Sequence, residues 1–357
     1  MQTFSIVVFD GDGIGPEIMA PTLAILTQIS EAATSYRLAF DHHPMGASHY
    51  AKTGEALPEA SVEAARQSDA ILLSAMGLPD IRYPDGTEIT PQIDIRIALD
   101  LYAGVRPVRI VPGHPTPLAA PGPVDFVLIR ESTEGLFHTK GTGEVTEDYA
   151  KETLKITRAT SEKLFRFAFD LAAQRKASGR GSGKVTCVDK ANVFRAFAYF
   201  RELFDAEAAK HPELAADHAY VDAMALWMVT RPGAFDVMVT ENMFGDILSD
   251  LGAGLMGGLG LAPSADIGDD NAVFQPCHGT APDIAGQGIA NPLAMILSAA
   301  MMLDWLGVRA ENAEIAADGA RLREAVEAVL TEGAILTGDL GGKATTEEAA
   351  AAVAAQL

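Results

Sequence analysis

Short runs of β-branched, aliphatic and aromatic residues recur along the chain, and each run is bounded by Gly, Asp or Pro. Runs of about four to eight such residues predict buried strands. The runs are nearly continuous rather than alternating with polar residues, so we expect strands that are covered on both faces. Five segments fit: residues 4–9, 70–73, 126–129, 185–188 and 235–239.

Helical periodicity lies between these strands. Before the glycine-rich segment 179–183, apolar residues follow the i, i+3, i+4, i+7 spacing of one helix face: Leu164, Phe167, Ala168 and Leu171. Near the carboxyl end, Thr345 with Glu348 three residues later predicts a capping box that begins a last helix. Strands that alternate with helices indicate mainly parallel sheets, so the predicted fold class is α/β.

The composition is that of a folded protein with a large core, since 48% of the 357 residues are hydrophobic and 21% are charged. The length favours two domains, although a single α/β barrel would also fit. A formal charge of −21 argues against a nucleic-acid-binding surface, because such a surface needs a basic face.

Location is predicted from what the chain lacks. No window reaches the roughly 18 apolar residues of a membrane span, and no basic stretch precedes the first apolar run, so we expect neither a membrane segment nor export. Cys187 and Cys277 cannot form a disulfide framework, which favours a reducing compartment. The expected location is the cytoplasm.

The first strand leads into residues 11–17, Gly-Asp-Gly-Ile-Gly-Pro-Glu. This turn has the glycines that allow a ligand to approach the backbone, but Pro16 stands where a dinucleotide-binding fingerprint needs glycine. Two interpretations stay open: a phosphate- or nucleotide-binding loop, and a tight turn with Pro16 at the first position of a helix.

Two carboxylates, Asp246 and Asp250, are four residues apart, so a helix would place both on one face. Like charges at this spacing are unfavourable unless a cation lies between them. The pair indicates either a site for Mg²⁺ or Mn²⁺, which bind carboxylate oxygens, or a solvated acidic face.

Lys190 follows a predicted strand, at the edge where open α/β sheets bind ligands. It could act as a base or pair with Asp189. Three arginines near the ends of predicted elements could bind carboxylates or form salt bridges: Arg96, Arg106 and Arg130. His278 opens a loop of small residues that reaches Asp283, whose carboxylate could accept hydrogen bonds from ribose hydroxyls.

Together these segments resemble the metal-dependent β-decarboxylating dehydrogenases, the family of isopropylmalate, isocitrate, homoisocitrate and tartrate/D-malate dehydrogenases. The similarity spans nearly the whole chain, in seven segments that come in the family's order. They are residues 11–17, Arg96 with Arg106, 130–135 (Arg-Glu-Ser-Thr-Glu-Gly), 188–193 (Val-Asp-Lys-Ala-Asn-Val), 220–223 (Tyr-Val-Asp-Ala), 240–250 (Thr-Glu-Asn-Met-Phe-Gly-Asp-Ile-Leu-Ser-Asp) and 278–292.

The resemblance implies a fold that is not Rossmann, with two α/β domains and a cleft for substrate, metal and cofactor. The large cofactor-binding domain would comprise residues 1–101 and 257–357, and the small domain, with metal ligands and dimer contacts, residues 102–256. It also implies a homodimer with shared active sites, in which Lys190 and Asp222 reach into the partner's cleft.

The implied activity is the NAD-dependent oxidation and decarboxylation of a 3-substituted D-malate, by default 3-isopropylmalate. Lys190 and Asp222 are the implied catalytic residues, with Lys190 as base, because a nearby metal and arginines can lower the pKa of a lysine. The implied ligands of Mg²⁺ or Mn²⁺ are Asp222, Asp246 and Asp250. The implied ligands of the substrate carboxylates are Arg96, Arg106 and Arg130.

The cofactor-binding residues that the resemblance implies are Ile14, His278, Gly279, Asp283, Ile284 and Asn291. Where NADP-using relatives carry Lys and Tyr, this chain has Asp283 and Ile284. A carboxylate at that place accepts hydrogen bonds from the adenosine ribose and repels a 2′-phosphate. The predicted cofactor is therefore NAD.

The chain departs from the family at Phe137, where relatives carry the tyrosine that protonates the enol carbon after CO₂ leaves. A phenyl ring cannot donate a proton. The alternatives are decarboxylation with another donor such as water, His138 or Lys190, dehydrogenation alone, and a regulatory subunit without turnover.

Substrate choice is expected to depend on the residues before Arg96, which in relatives contact the group on C3. Thr90 and Gln92 fall where isocitrate dehydrogenases have polar residues, and Ile93 is apolar. Asp94 would repel a carboxylate if it faced the pocket, so tartrate, D-malate and isocitrate remain alternatives to 3-isopropylmalate.

Overall fold

The computed structural model describes residues 1–357, and the chain passes from a first unit into a second and returns. The first unit comprises residues 1–99, 111–115 and 257–357, and the second comprises residues 100–110 and 116–256. None of the helices combines the length and the apolar character needed to span a membrane.

The elements of the first unit begin the chain: β1 (Gln2–Phe9), α1 (Gly15–Ala32), β2 (Tyr36–His42), α2 (Ala47–Thr53), α3 (Glu59–Gln67), β3 (Ala70–Leu73) and α4 (Pro91–Ala98). The second unit contains β4 (Ala103–Arg109), β5 (Asp125–Glu131), β6 (Glu144–Val145), β7 (Ala150–Lys151), α5 (Arg158–Ala177), β8 (Lys184–Asp189), α6 (Arg195–Ala208), β9 (Ala215–Tyr220), α7 (Val221–Thr230), β10 (Val237–Thr240) and α8 (Asn242–Met256). The chain returns with β11 (Pro263–Ile267), β12 (Ala272–Pro276), α9 (Leu293–Arg309), α10 (Ala313–Glu332) and α11 (Thr346–Ala354).

Each unit has its own run of strands, and most neighbouring strands are parallel. In the first unit the order is β2-β1-β3-β12-β11, with only β11 antiparallel to its neighbour. In the second unit the order is β4-β5-β10-β8-β9, with only β4 antiparallel to its neighbour. The α/β class is confirmed, and the antiparallel strand in each unit departs from a doubly wound Rossmann sheet.

The five predicted strands are confirmed as β1, β3, β5, β8 and β10. The last begins at Val237 instead of residue 235, because Pro232–Ala234 forms a short 3₁₀ helix first. The apolar pattern did not predict β2, β4, β9, β11 and β12, nor the separate antiparallel pair of β6 and β7. Of these, β4, β11 and β12 are mostly buried, but polar residues, Gly or Pro interrupt their apolar runs. The other two, β2 and β9, lie at the edges of the sheet order and leave most of their residues at least partly exposed. Edge strands lack the continuous apolar run that central strands need.

The predicted helix before the glycine-rich segment is α5. Of its four predicted core residues, Leu164 and Ala168 are buried. Phe167 and Leu171 are only half-buried. The helix buries Phe165 and Phe169 instead, since these rings pack against α6, where the Phe165 and Phe200 centroids are 4.6 Å apart. The predicted capping box at the start of α11 is confirmed.

Candidate functional site

The turn after β1 packs against the backbone of Thr280. Gly13 has a φ of 57°, and a Cβ there would lie 2.2 Å from the carbonyl oxygen of Thr280. The N–H of Ile14 donates to the same oxygen at 2.9 Å. Pro16 lies in the first turn of α1. The structure shows a tight turn here, and ligand binding at this turn, with Ile14 as a cofactor contact, stays a prediction.

Asp12 anchors this turn, and the sequence did not single it out. Its carboxylate is buried and accepts hydrogen bonds from the N–H groups of Ala47 and Gly77 at 2.8 and 2.9 Å, and from Ser48 at 2.8 Å. Two of these donors belong to the first turn of α2, where a negative charge is favourable. An acid between two turn glycines is the only sequence signal that could have identified it.

A second carboxylate, that of Glu17 in α1, holds the loop of residues 278–291. It accepts the N–H of Gly286 at 3.1 Å and that of Ala290 at 2.9 Å, together with the hydroxyl of Thr346 at 2.7 Å. Burial opposes ionisation, but these hydrogen bonds outweigh it and lower the pKa of Glu17. The loop with the implied cofactor residues is thus tied to α1 and α11.

Within this loop, His278 has an unsatisfied nitrogen. Nδ1 donates to the carbonyl oxygen of Gly279 at 2.9 Å, which leaves Nε2 as an acceptor that is buried and has no partner in the chain. Burial lowers the pKa of His278, which favours the neutral form of the ring. The side chain of Asn291 has a partner within the protein, because its Nδ2 donates to the carboxylate of Asp339 at 2.9 Å. Asp283 is exposed. A buried acceptor without a partner and an exposed carboxylate in the same loop fit a polar cofactor such as NAD.

The segment before Arg96 forms α4. Thr90 precedes the helix without making a side-chain capping bond, and Oε1 of Gln92 is buried without a hydrogen-bond partner. Nε of Arg96 lies 2.9 Å from the carboxylate of Asp266, which is fully buried. The salt-bridge interpretation therefore holds for Arg96 in this structure, and its role in substrate binding stays a prediction.

The pair Asp246 and Asp250 lies on α8, as the spacing predicted. The helix begins where the carboxylate of Glu241 accepts the N–H of Phe244 at 2.7 Å. Burial, followed by the charge of Asp246, raises the pKa of Asp250, while Arg130 and Arg106 act in the opposite direction. The structure thus brings together two carboxylates and two of the three candidate arginines, a cluster that sequence spacing alone did not reveal.

Arg130 lies one residue before the end of β5 and contacts α8. Its guanidinium is buried, donates to the carboxylate of Asp246, and makes two hydrogen bonds to Oδ1 of Asn242. Arg106 on β4 is also buried. Sequence reasoning missed Asn242, although an asparagine four residues before Asp246 on a predicted helix shares its face.

Lys190 pairs with Asp222, not with Asp189. Nζ of Lys190 donates to the carboxylate of Asp222 at the start of α7. Asp189 is fully buried and accepts two hydrogen bonds of 2.7 Å from Arg201, together with the N–H of Ala191 at 2.8 Å. Asp189 is therefore an anchor for the end of β8, and the two implied catalytic residues lie together.

Phe137 lies in a 3₁₀ helix, Leu136–Thr139, just after the Arg130 segment. The turn before it is held by the carboxylate of Glu131, which accepts hydrogen bonds from the N–H groups of Thr133 at 2.6 Å and of Glu134 at 2.9 Å. Burial raises the pKa of Glu131 to about 7, although these hydrogen bonds act to lower it. His138, one of the alternative proton donors, is exposed.

The donor set on α8 fits a hard divalent cation. Carboxylate oxygens are the ligands that Mg²⁺ and Mn²⁺ prefer, and the mutual repulsion of Asp246 and Asp250 is relieved by a cation. A single chain contains no group of three or more His, Cys, Asp or Glu side chains placed to hold a metal. The third implied ligand, Asp222, lies on α7 instead, where its carboxylate accepts a hydrogen bond from Lys190.

Comparison with known proteins gives a match over the whole chain. The profile of the isocitrate/isopropylmalate dehydrogenase family matches residues 5–353. A 3-isopropylmalate/3-methylmalate dehydrogenase of Methanocaldococcus jannaschii is 43% identical over 354 residues, which is 99% of this chain and 98% of the relative. A 3-isopropylmalate dehydrogenase of Streptococcus thermophilus is 41% identical over 364 residues, with both chains fully covered.

Solved structures agree with the sequence matches. Isocitrate dehydrogenase from Methylococcus capsulatus superposes with a TM-score of 0.84 at 35% identity, covering 99% of both chains. The TT0538 protein of Thermus thermophilus superposes with a TM-score of 0.87 at 38% identity, covering 99% of this chain and 68% of that one. Similarity in sequence and in fold thus extends over the same residues.

Proposed function

The chain belongs to the isocitrate/isopropylmalate dehydrogenase family, and from this we propose that it oxidises and decarboxylates a 3-substituted D-malate with NAD and a divalent metal. The observation that carries the proposal is the cluster of Arg106, Arg130, Asp246 and Asp250. It offers two cations for substrate carboxylates beside two carboxylates for a metal, which is what a hydroxy-dicarboxylic acid requires.

Lys190 is the base in this reaction. Oxidation at C2 requires removal of the hydroxyl proton, and Lys190, whose Nζ is held by the carboxylate of Asp222, is the group that takes it in this proposal. Arg96, Arg106 and Arg130 bind the carboxylates and so orient C2 and C3. Asp222, Asp246 and Asp250 would hold a divalent cation, which would supply Lewis-acid stabilisation of the negative charge that develops on oxygen.

NAD is the proposed hydride acceptor, bound by Ile14 and by the loop from His278 to Asn291. The buried, unpartnered Nε2 of His278 and the exposed carboxylate of Asp283 support this proposal. Gly279 and Ile284 complete the set that the family resemblance implies.

The substrate proposed by default is 3-isopropylmalate, because the relatives with 41–43% identity carry that name. Thr90 and the buried Oε1 of Gln92 favour a polar group on C3 instead, which keeps tartrate, D-malate and isocitrate as alternatives. Phe137 favours one further candidate, dehydrogenation without release of CO₂, because the usual proton donor is missing.

A homodimer with shared sites is part of the proposal. Four apolar side chains are exposed on two neighbouring helices, α7 and α8, and two of them, Leu226 and Ile247, are 60% and 64% exposed. The other two are Val229 and Met243. Large exposed apolar patches mark interaction sites, and α7 also carries Asp222, the metal ligand that the resemblance assigns to the partner's site. The free thiols of Cys187 and Cys277 support a cytoplasmic location.

The test is NADH formation with Mg²⁺ or Mn²⁺ over a panel of 3-isopropylmalate, isocitrate, homoisocitrate, tartrate and D-malate, with CO₂ counted in the same reactions. Equal NADH and CO₂ from one acid is the expected result and names the substrate. NADH without CO₂ would replace the proposal with a plain dehydrogenase. No NADH from any acid would refute it in favour of a binding subunit.

A further inference from the structure

Arg130 is held against α8 by two side chains that are one helical turn apart. Oδ1 of Asn242 accepts hydrogen bonds from Nε at 3.2 Å and from Nη2 at 2.7 Å, and the carboxylate of Asp246 accepts one from Nη1. Residues at i and i+4 share a helix face. One face of α8 therefore contacts all three nitrogens of the guanidinium.

The close approach of α8 depends on Gly245. A Cβ at this position would lie 2.6 Å from both Cβ and Cγ of Arg130, closer than carbon atoms can pack. A larger residue would push α8 away from β5 and would lengthen the hydrogen bonds to Asn242. The glycine and the asparagine thus form one slot for the arginine.

Asn242 is fixed on its other side as well. Its Nδ2 donates to the carbonyl oxygen of Glu134 at 3.3 Å and lies 3.5 Å from the carboxylate of Glu131. Because an amide nitrogen only donates and an amide oxygen only accepts, these contacts turn Oδ1 towards Arg130. The orientation of the asparagine is therefore determined before any substrate arrives.

The two residues that hold Arg130 differ in what else they can bind. The side chain of Asp246 is 63% exposed and is an implied metal ligand, so a cation competes with Arg130 for it. Asn242 is neutral and 4% exposed, and it has no competing partner. We propose that Asn242 is the positioning residue of the substrate site, which keeps the guanidinium of Arg130 aimed at a substrate carboxylate whatever Asp246 binds. This inference rests on the proposed function, in which Arg130 is a substrate ligand.

The test is Asn242→Ala in the full chain, assayed with NAD, Mg²⁺ and whichever acid of the panel the parent oxidises. We expect the KM for that acid to rise roughly tenfold to 100-fold, the effect of losing hydrogen bonds to a charged group. The kcat and the KM for NAD should change little, because the lost interaction serves substrate binding alone. The dissociation constant for Mg²⁺, titrated without substrate, should also stay the same.

Gly245→Ala is the second variant, because it keeps the side chain of Asn242 but moves α8 away from Arg130. It should raise the same KM while its alanine favours the helix. The matched control is Asn271→Ala, which removes a buried asparagine of the first unit whose Nδ2 donates to the carbonyl of Arg66 at 3.1 Å. This control should lower the melting temperature and leave both KM values unchanged.

The possible outcomes distinguish failure of the proposed function from failure of the positioning role of Asn242. A parent that oxidises none of the acids refutes the proposed function, and the positioning role with it. A parent that is active, with Asn242→Ala unchanged in KM, overturns the positioning role alone. A parallel loss of affinity for NAD and for the acid, together with lower stability, assigns Asn242 a purely structural role and also overturns the inference.

Discussion

Carboxylates have different partners in the turn after β1 and on the face of α8. In the turn, Asp12 accepts hydrogen bonds only from backbone N–H groups. On α8, Asp246 pairs with the side chain of Arg130 and repels Asp250. Backbone donors are fixed by the fold, whereas an arginine can exchange one carboxylate for another. An acid bonded to backbone N–H groups therefore serves as an anchor, whereas an acid paired with a side chain is available to a ligand.

The largest expected effect comes from Asp246→Asn, on the α8 side of the comparison. Metal-dependent NADH formation should fall by at least about 100-fold, because a preorganised charge is lost from the reacting centre. Stability should change by less than about 1 kcal/mol, since the side chain is mostly exposed. The measurements are NADH formation against Mg²⁺ concentration and urea unfolding.

The control for this change is Asp217→Asn, which removes a carboxylate paired with Lys184 at the surface of the same unit. It should leave the activity unchanged. Full activity of Asp246→Asn at the parent's Mg²⁺ requirement would remove Asp246 from the proposed metal site.

Glu131→Gln sharpens the comparison, because this acid adjoins Arg130 and yet accepts backbone N–H groups. Its pKa rises from 4.5 to about 7 on burial, so the folded state holds the proton more tightly than the unfolded state. This contribution to stability is present below pH 4.5 and is lost as the pH rises through 7.

The measurement is urea unfolding of the parent and of Glu131→Gln at pH 5 and pH 8. Between pH 5 and pH 8, the free energy of unfolding should fall by about 2 to 3 kcal/mol more for the parent than for the variant. Glu213→Gln, an exposed change of the same kind, should behave like the parent. Parallel profiles for the parent and Glu131→Gln would show that Glu131 is ionised in the folded protein.

Asp12→Asn tests the anchoring side of the comparison. The amide can replace only one of the two accepting oxygens, so a buried N–H group is left without a partner at a cost of about 1 to 3 kcal/mol. The melting temperature should fall while kcat stays the same. Asp10→Asn is the control two residues away, because its carboxylate pairs with exposed His42. A loss of kcat without a loss of stability would assign Asp12 to the chemistry.

The smallest effect is expected from Asp283→Lys, which changes an exposed acid in the cofactor loop. The ratio of kcat/KM for NADP to that for NAD should rise roughly tenfold, because a repulsion is removed and an attraction is gained at an exposed site. Asp270→Lys makes the same charge change outside the loop and should leave the ratio unchanged. Comparable use of NADP by the parent would already contradict the assignment of NAD.

Much of the fold could be predicted because the relevant signals are local. The apolar run of β3 and the capping box of Thr345 and Glu348 depend on neighbours along the chain, and both are as expected. Phe167 was assigned to the buried face of α5, but the face is set by contact with Phe200 on another helix. Such a contact has no signature in the spacing of one helix.

In the candidate site, too, local features could be predicted, whereas contacts between distant segments could not. Spacing along the chain was enough to predict that Asp246 and Asp250 share a helix face and that Lys190 follows a strand, because both features depend on near neighbours. The replacement of a proton-donating tyrosine by Phe137 follows from the family resemblance and stays a prediction. The pairing of Lys190 with Asp222 and the position of Arg130 in its slot on α8 became known from the fold alone. Partner choice depends on which distant segments meet, and a buried charge takes the partner that the fold brings to it.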